Sequence, residues 1–414
     1  MIRNNDYILK EINNIPCLIP VGQAKAMRKS IISINTTGAY IWECFSENLS
    51  NTEVIDKVIN YYGPNAKEKN DLICDISSFI NSLSKMGLLL DSDKICSMNP
   101  QNQASIILDA PTDIEATSVS IADIHINIYA PENILPKHFF DFIQKESPSQ
   151  NLKQDSKISI HFIEKEAPEF DLPDPIIETL SVNICETKNH FVLSYKKYTT
   201  MNFISRLFIN KDTYETYAYY ETSLNNASTN PDSESKTLRA ETDTVIRTVF
   251  SLVAAKQNLL MLHSVSILYK NKAILFSAPS GTGKSTHANL WKKLFDINQI
   301  NGDINVLKEI NGEIVACGTP WCGTSGIYSK ETFPVGAIIF LKRDSINAID
   351  GLSDHDKSRQ LISRLFNPLW NSNRLDSLIK NAETVTKTVP CAILRCTKDD
   401  EAAIVCKNYL NLLS

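Results

Sequence analysis

The sequence predicts an α/β fold, with a β-rich stretch ahead of it and a small α+β unit at the N-terminus. Three observations carry this. After Thr242, helical and strand patterns alternate. A glycine-rich segment, Ala278–Gly283, lies between an apolar strand and a helix. The segment up to Asp91 shows three- and four-residue apolar spacing with strand-like runs at its edges.

The chain has 414 residues, 43% apolar and 21% charged, an ordinary globular composition long enough for two or three domains. A formal net charge of −5 argues against broad phosphate neutralisation, so nucleic acid is not an expected partner. No window approaches the roughly 20 apolar residues that span a bilayer, and the start lacks the apolar core of a signal peptide. The expected location is the cytoplasm, with no membrane partner. The ten cysteines include no C-x-x-C pair and read as small core hydrophobes, so zinc is not expected.

Residues 1–92 form the first expected domain. Ser50 and Glu53 are spaced as a capping box that opens a helix over Val54–Tyr62. A following helix places Leu72, Ile76, Phe79, Ile80 and Leu83 on one face, with Gly87 as its C-cap. The apolar stripe packs these helices together and leaves an edge strand near Cys17–Val21 beside the helix flank, a possible docking groove.

Residues 93–118 read as a polar linker with one apolar stretch, Ile106–Leu108. The β-rich part, 119–244, carries alternating runs at Ser120–Tyr129, Ile158–Ile163, Leu180–Ile184, Phe191–Tyr195 and Leu207–Ile209 that predict antiparallel strands. Asn225–Lys236 is too polar to pack and predicts an exposed loop.

The last domain, 245–414, begins with a buried helix over Val245–Leu259 and strands at Met261–Leu268 and Ala273–Ser277. Helices near Lys284–Phe295, Asp356–Phe366, Arg374–Thr384 and Glu401–Leu413 then alternate with strands at Glu313–Cys317, Val335–Leu341 and Pro390–Arg395. In such folds function gathers at loops that follow strands.

Ala278 to Ser285 fits the phosphate-binding loop pattern, with Ala in place of the first glycine. Glycines 281 and 283 let backbone N–H groups turn toward phosphate oxygens, with Ser280, Thr282 and Thr286 completing the cradle. Lys284 would neutralise the β- and γ-phosphates and Ser285 would bind Mg²⁺, so ATP with Mg²⁺ is the expected cofactor. Phosphoryl transfer also needs a carboxylate for the acceptor hydroxyl, and Asp303 is the best placed acid; it would share the metal with Ser285. His263, in the strand before the loop strand, is a further candidate. The segment Thr319–Gly326 either lines a pocket or forms a tight turn around a packed tryptophan. Arg343 and Arg364 are candidates for transition-state charge stabilisation.

Met261–Val306, with Leu262-His263-Ser264, the loop and Asn301-Gly302-Asp303, resembles the kinases related to bacterial HPr serine kinase/phosphorylase. The resemblance implies an α/β P-loop kinase domain of the HPr kinase type with an active site of His263, Lys284, Ser285 and Asp303. That family usually has two adjacent acids at the last position. Here Gly302 precedes Asp303, and the role of the first acid is lost or reassigned. Gly318–Gly323 and Phe340–Arg343 also resemble a branch of this family that acts outside sugar regulation. Its members assemble as oligomers, which implies a homo-oligomer.

Ile31–Leu90, with the motif Asn35-Thr36-Thr37-Gly38-Ala39-Tyr40-Ile41-Trp42, is similar to the PqqD family of peptide-recognition domains, which resemble a winged helix. Such domains bind the leader of a ribosomally made precursor peptide as an added strand. Together the resemblances imply a leader-binding domain tethered to a kinase for a Ser or Thr hydroxyl of that peptide, working beside peptide-maturation enzymes. Two readings stay open: a kinase for free serine or another small hydroxyl metabolite, and a nucleotide-gated peptide-delivery protein that transfers no phosphate.

Overall fold

The computed structural model describes residues 1–47, 49–63, 65–91, 106–108, 114–144, 157–196, 201–222, 231–368 and 374–413. The chain divides into two compact units, residues 1–101 and residues 102–368 with 373–414.

The first unit contains β1 (Ile2–Arg3), β2 (Tyr7–Ile12), β3 (Ile15–Pro20), α1 (Gly22–Ala26), β4 (Ile32–Ser33), α2 (Thr36–Cys44), α3 (Asn51–Tyr62), α4 (Ala66–Lys85) and β5 (Leu89–Leu90). Asn13 and Asn14, at φ 47° and 62°, make the two-residue turn that joins β2 to β3, a conformation asparagine tolerates. The segment near Cys17–Val21 is not an edge. β3 is the middle strand of the order β2-β3-β4, because Ile32–Ser33 returns to pair with Cys17 and Leu18; the edges are β2 and β4.

The Asn35–Trp42 motif has a local cause for each residue type. The Asn35 side chain caps α2 by accepting from Gly38 N at 2.7 Å. A Cβ on Gly38 would stand 2.9 Å from the Phe79 ring, so glycine lets α4 approach, while Ile41 and Trp42 are buried. The capping box at Ser50 and Glu53 forms and opens α3 at Asn51. The C-cap of α4 is Met86; Gly87 follows it in the left-handed region (φ 73°), with Leu88 N bonding back to Leu83 O.

In the second unit, β6 (Thr117–Ile121), β7 (Ile124–Tyr129), β8 (Lys157–Glu164), β9 (Ile177–Glu178), β10 (Val182–Glu186), β11 (His190–Tyr195), β12 (Ile204–Asn210) and β13 (Thr216–Tyr220) make an eight-stranded sheet. The run Ser120–Tyr129 belongs to two strands, split by a turn at Ala122–Asp123. The sheet is mixed rather than antiparallel: β8 runs parallel to both β7 and β13. The long connection from β7 to β8 gives the chain room to cross over. Ile106 is docked on this sheet, buried in its core and bonded to Asn189 through both backbone groups, so this part of the expected linker is packed.

The helix α5 runs over Pro231–Lys256, so the loop expected to reach Lys236 already ends by Pro231. Proline at the first position suits a helix start. Glu241 of α5 is buried and accepts from Asn202, Phe203 and Ile204 N, which fastens the helix to the strand β12.

The second sheet is built from β14 (Leu260–Tyr269), β15 (Lys272–Ser277), β16 (Gln299–Asn301), β17 (Ile304–Ile310), β18 (Glu313–Cys317), β19 (Phe333–Arg343), β20 (Ala348–Gly351) and β21 (Cys391–Cys396). Around it lie α6 (Lys284–Phe295), α7 (Asp354–Ser363), α8 (Leu375–Thr388) and α9 (Asp400–Leu412). It too is mixed, with β15, β19 and β21 parallel, so the expected α/β character holds. Val265, Phe276, Trp291, Ile339 and Leu394 share one buried cluster between the sheet, α6 and α9. That packing fixes the strand-to-helix turn after β15.

Candidate active site

The turn from β15 to α6 places Ala278–Gly283 where the sequence expects the loop. Gly281 and Gly283 have φ of 76° and 120°, a region that suits glycine. Gly283 is the N-cap of α6, with no side-chain cap and no acid in the first turn, so the first helical N–H groups remain available for an anion. Ser280, Gly281, Ser285 and Thr286 are exposed, and Thr282 and Gly283 are half-buried.

Lys284 is buried and donates from Nζ to Ala278 O at 3.1 Å. Burial pushes its ammonium below the usual range; the charge of Asp303 opposes that fall and that of Arg364 adds to it. A desolvated cation aimed across its own loop is ready to meet phosphate oxygens.

Asp303 follows the short strand β16 and is half-buried. His263 Nε2 lies 3.3 Å from one carboxylate oxygen, and Arg247 donates to the other from 3.3 Å. The backbone fixes this group as well. Asp303 N donates to Asn301 Oδ1, and Ser264 N donates to Asp303 O. His263 is held through its own N–H to Arg364 O and through its carbonyl, which accepts from Ser277 Oγ.

The structure therefore brings His263, Asp303 and the loop lysine into one neighbourhood, and adds Arg247. Nothing in a motif pointed to Arg247; the available signal was a lone arginine between the apolar pairs Val245–Ile246 and Val249–Phe250 of α5. Its guanidinium also lies 5.0 Å over Phe366, and its Nε is buried without a partner.

The two arginines expected to stabilise charge have different surroundings. Arg343 donates to the carbonyls of Gly281 and Thr282, which ties it to the loop. Arg364 stacks 5.0 Å over Phe340, its Nε is buried and unpartnered, and burial lowers its pKa to about 10. Both line a cleft of about 340 Å³ with Pro279–Thr282 and Gln360.

The segment Thr319–Gly326 packs on the turn that carries Asp303. Thr319 accepts from Asn301 Nδ2 and donates to Ile304 O, and Trp321 is buried against Phe250 at 4.7 Å. At Gly302 a Cβ would stand 1.9 Å from Ser325 Oγ and 2.5 Å from Cys322 O. Position 302 therefore has no room for a side chain.

Among the described residues, no group of three or more His, Cys, Asp or Glu side chains is arranged to hold a metal, and no helix is long and apolar enough to cross a membrane. No protein-family model matches the chain, and neither does any curated protein. Among solved structures, the Hpr(Ser) kinase/phosphatase from Coxiella burnetii is a weak structural neighbour. It is 9% identical over 37% of this chain and 99% of its own, with a TM-score of 0.22, too slight a likeness to bear on fold or function.

Proposed function

We propose that the chain is an ATP-dependent kinase that phosphorylates a Ser or Thr hydroxyl on a ribosomally made precursor peptide. The observation that carries the catalytic part is the placing of the Asp303 carboxylate, held by Arg247 and His263, within electrostatic reach of the buried loop lysine. Phosphoryl transfer needs this pairing of a charge-neutralising loop with a base for the acceptor.

The triphosphate lies along Ala278–Thr286, with its N–H donors from the first turn of α6 and its charge met by Lys284. The cleft lined by Arg343, Gln360 and Arg364 takes part of the nucleotide. Ser285 and Asp303 are hard oxygen donors that suit Mg²⁺, an ion that keeps waters and phosphate oxygens as its other ligands. Held by these two residues, the ion would supply charge neutralisation for the phosphates. Asp303 accepts the hydroxyl proton as the acceptor oxygen bonds to the γ-phosphorus and the bond from that phosphorus to the bridging oxygen breaks. Arg247 and His263 fix the direction of the carboxylate.

The peptide acceptor rests on the N-terminal unit, whose Asn35–Trp42 motif resembles the leader-binding family and whose small sheet ends in the edge strands β2 and β4, the kind of element that takes an added strand. A homo-oligomer and partnership with maturation enzymes belong to the same reading. Gly302, the feature that favours a delivery protein without transfer, has a packing cause.

The test is to incubate the protein with γ-labelled ATP and a ribosomally made precursor peptide, with and without its leader. Leader-dependent phosphopeptide is the expected result. Label on free serine alone rejects the peptide acceptor, and nucleotide binding without transfer rejects the kinase.

A further inference from the structure

A second cleft, of about 410 Å³, opens on the Asp303 side of the site. Its walls come from the segment after Pro136 and from one face of α5, where residues 236, 239, 243 and 247 recur at helical spacing. It is lined by Lys137, His138, Lys236, Arg239 and Arg247 against one carboxylate, Asp243, and by Trp321 and Gly323. The lining is strongly cationic in a chain whose net charge is −5.

The cations differ in what they already hold. Arg247 is engaged by Asp303 and His138 lies 3.1 Å from Asp243. Arg239 meets only a neutral carbonyl, Asn133 O, from Nε at 2.8 Å. Among the described residues, Lys137, Lys236 and Arg239 are paired with no carboxylate, and Lys137 and Lys236 are exposed. Trp321 Nε1 is buried in the wall without a partner.

The cleft is joined to the chemistry through two residues. Arg247 lines it and donates to Asp303, and Gly323 lines it so close to Asp303 that a Cβ would stand 3.1 Å from the aspartate Cβ. The cleft therefore adjoins the residues that touch Asp303.

We infer that this cleft is the acceptor subsite and that it selects a hydroxyl flanked by acidic residues, an acidic peptide segment. Three separate cations, spread over two chain segments, suit several carboxylates around the hydroxyl better than the single carboxylate of a free hydroxy acid. The inference rests on the kinase reading for the word acceptor, but the binding it asserts is measured without transfer.

The experiment titrates the full chain, loaded with a non-hydrolysable ATP analogue and Mg²⁺, with three probes: a short peptide with glutamates on both sides of a serine, its glutamine counterpart, and free serine. The acidic peptide binds about tenfold tighter than the glutamine peptide, and the difference shrinks at high salt. Lys236→Ala combined with Arg239→Ala removes that preference. Because Arg239 also holds Asn133, Lys236→Glu, on an exposed side chain, provides a second reading and reduces the preference to a similar extent. Equal binding of both peptides, tighter binding of free serine, or a preference untouched by these variants overturns the assignment. A charge-selective protein that transfers no label from γ-labelled ATP to a leader-bearing precursor keeps the cleft and rejects the kinase; transfer to leader-bearing precursors that is indifferent to acceptor charge does the opposite.

Discussion

Gly302 and Cys322 meet where no side chain fits: a Cβ at position 302 would stand 2.5 Å from the Cys322 carbonyl oxygen. The Ser325 hydroxyl can rotate away, but a backbone carbonyl moves only with its segment. Gly302→Ala is therefore expected to lower stability by roughly 1–3 kcal/mol, with Gly302→Asp lower still, as overpacking of a close contact does. Urea denaturation of both variants measures this. Unchanged midpoints would show that the segment yields freely and that glycine at 302 has no packing cause.

In the proposed kinase, Arg247 is the positioning residue for the Asp303 carboxylate that it touches. Asp303→Asn should reduce transfer by roughly 10²–10⁴-fold while nucleotide affinity stays nearly constant. Arg247→Ala should reduce kcat less, by roughly tenfold, and Arg247→Lys should recover part of it. Nucleotide titrations and initial rates on the same preparations separate the effects. Full activity in Asp303→Asn would remove it from the mechanism.

His287 gives the fold a pH dependence. Its Nε2 accepts from Trp291 Nε1 at 3.1 Å, which only the neutral ring can do, and burial lowers its pKa to about 4 from 6.5. Between those values the unfolded chain binds more protons than the folded one, so stability is fully present above about pH 6.5 and is lost as pH falls toward about 4. The gap is equivalent to about 3 kcal/mol at most. His161 and His190, also lowered by burial, act in the same direction. Thermal melts at pH 7 and pH 5 should show a smaller loss for His287→Gln than for the parent; parallel losses would exclude His287.

Glu241 ties α5, and with it Arg247, to the β-rich sheet. Removing the carboxylate leaves three backbone donors without their acceptor, so Glu241→Ala should cost roughly 3 kcal/mol or more. The same change should raise exchange of the amides of Asn202, Phe203 and Ile204, read by hydrogen exchange. Protection equal to the parent would show that other contacts hold the helix.

The sequence by itself determined the elements whose causes are local. The capping box at Ser50 and Glu53, α6 over Lys284–Phe295, β18 over Glu313–Cys317 and the loop of Gly281 and Gly283 follow from neighbours a few residues apart. What only the tertiary structure decided depends on residues far apart in the chain. Arg247 meets Asp303 across 56 positions, β3 became a middle strand when Ile32–Ser33 folded back, and β8 became parallel to both its neighbours. Gly302 had no local reason to be glycine, since its backbone conformation suits any residue; the reason is Cys322, brought against it by packing. Periodicity and capping are fixed by short-range hydrogen bonds, whereas sheet order and close approach are set by which surfaces bury each other.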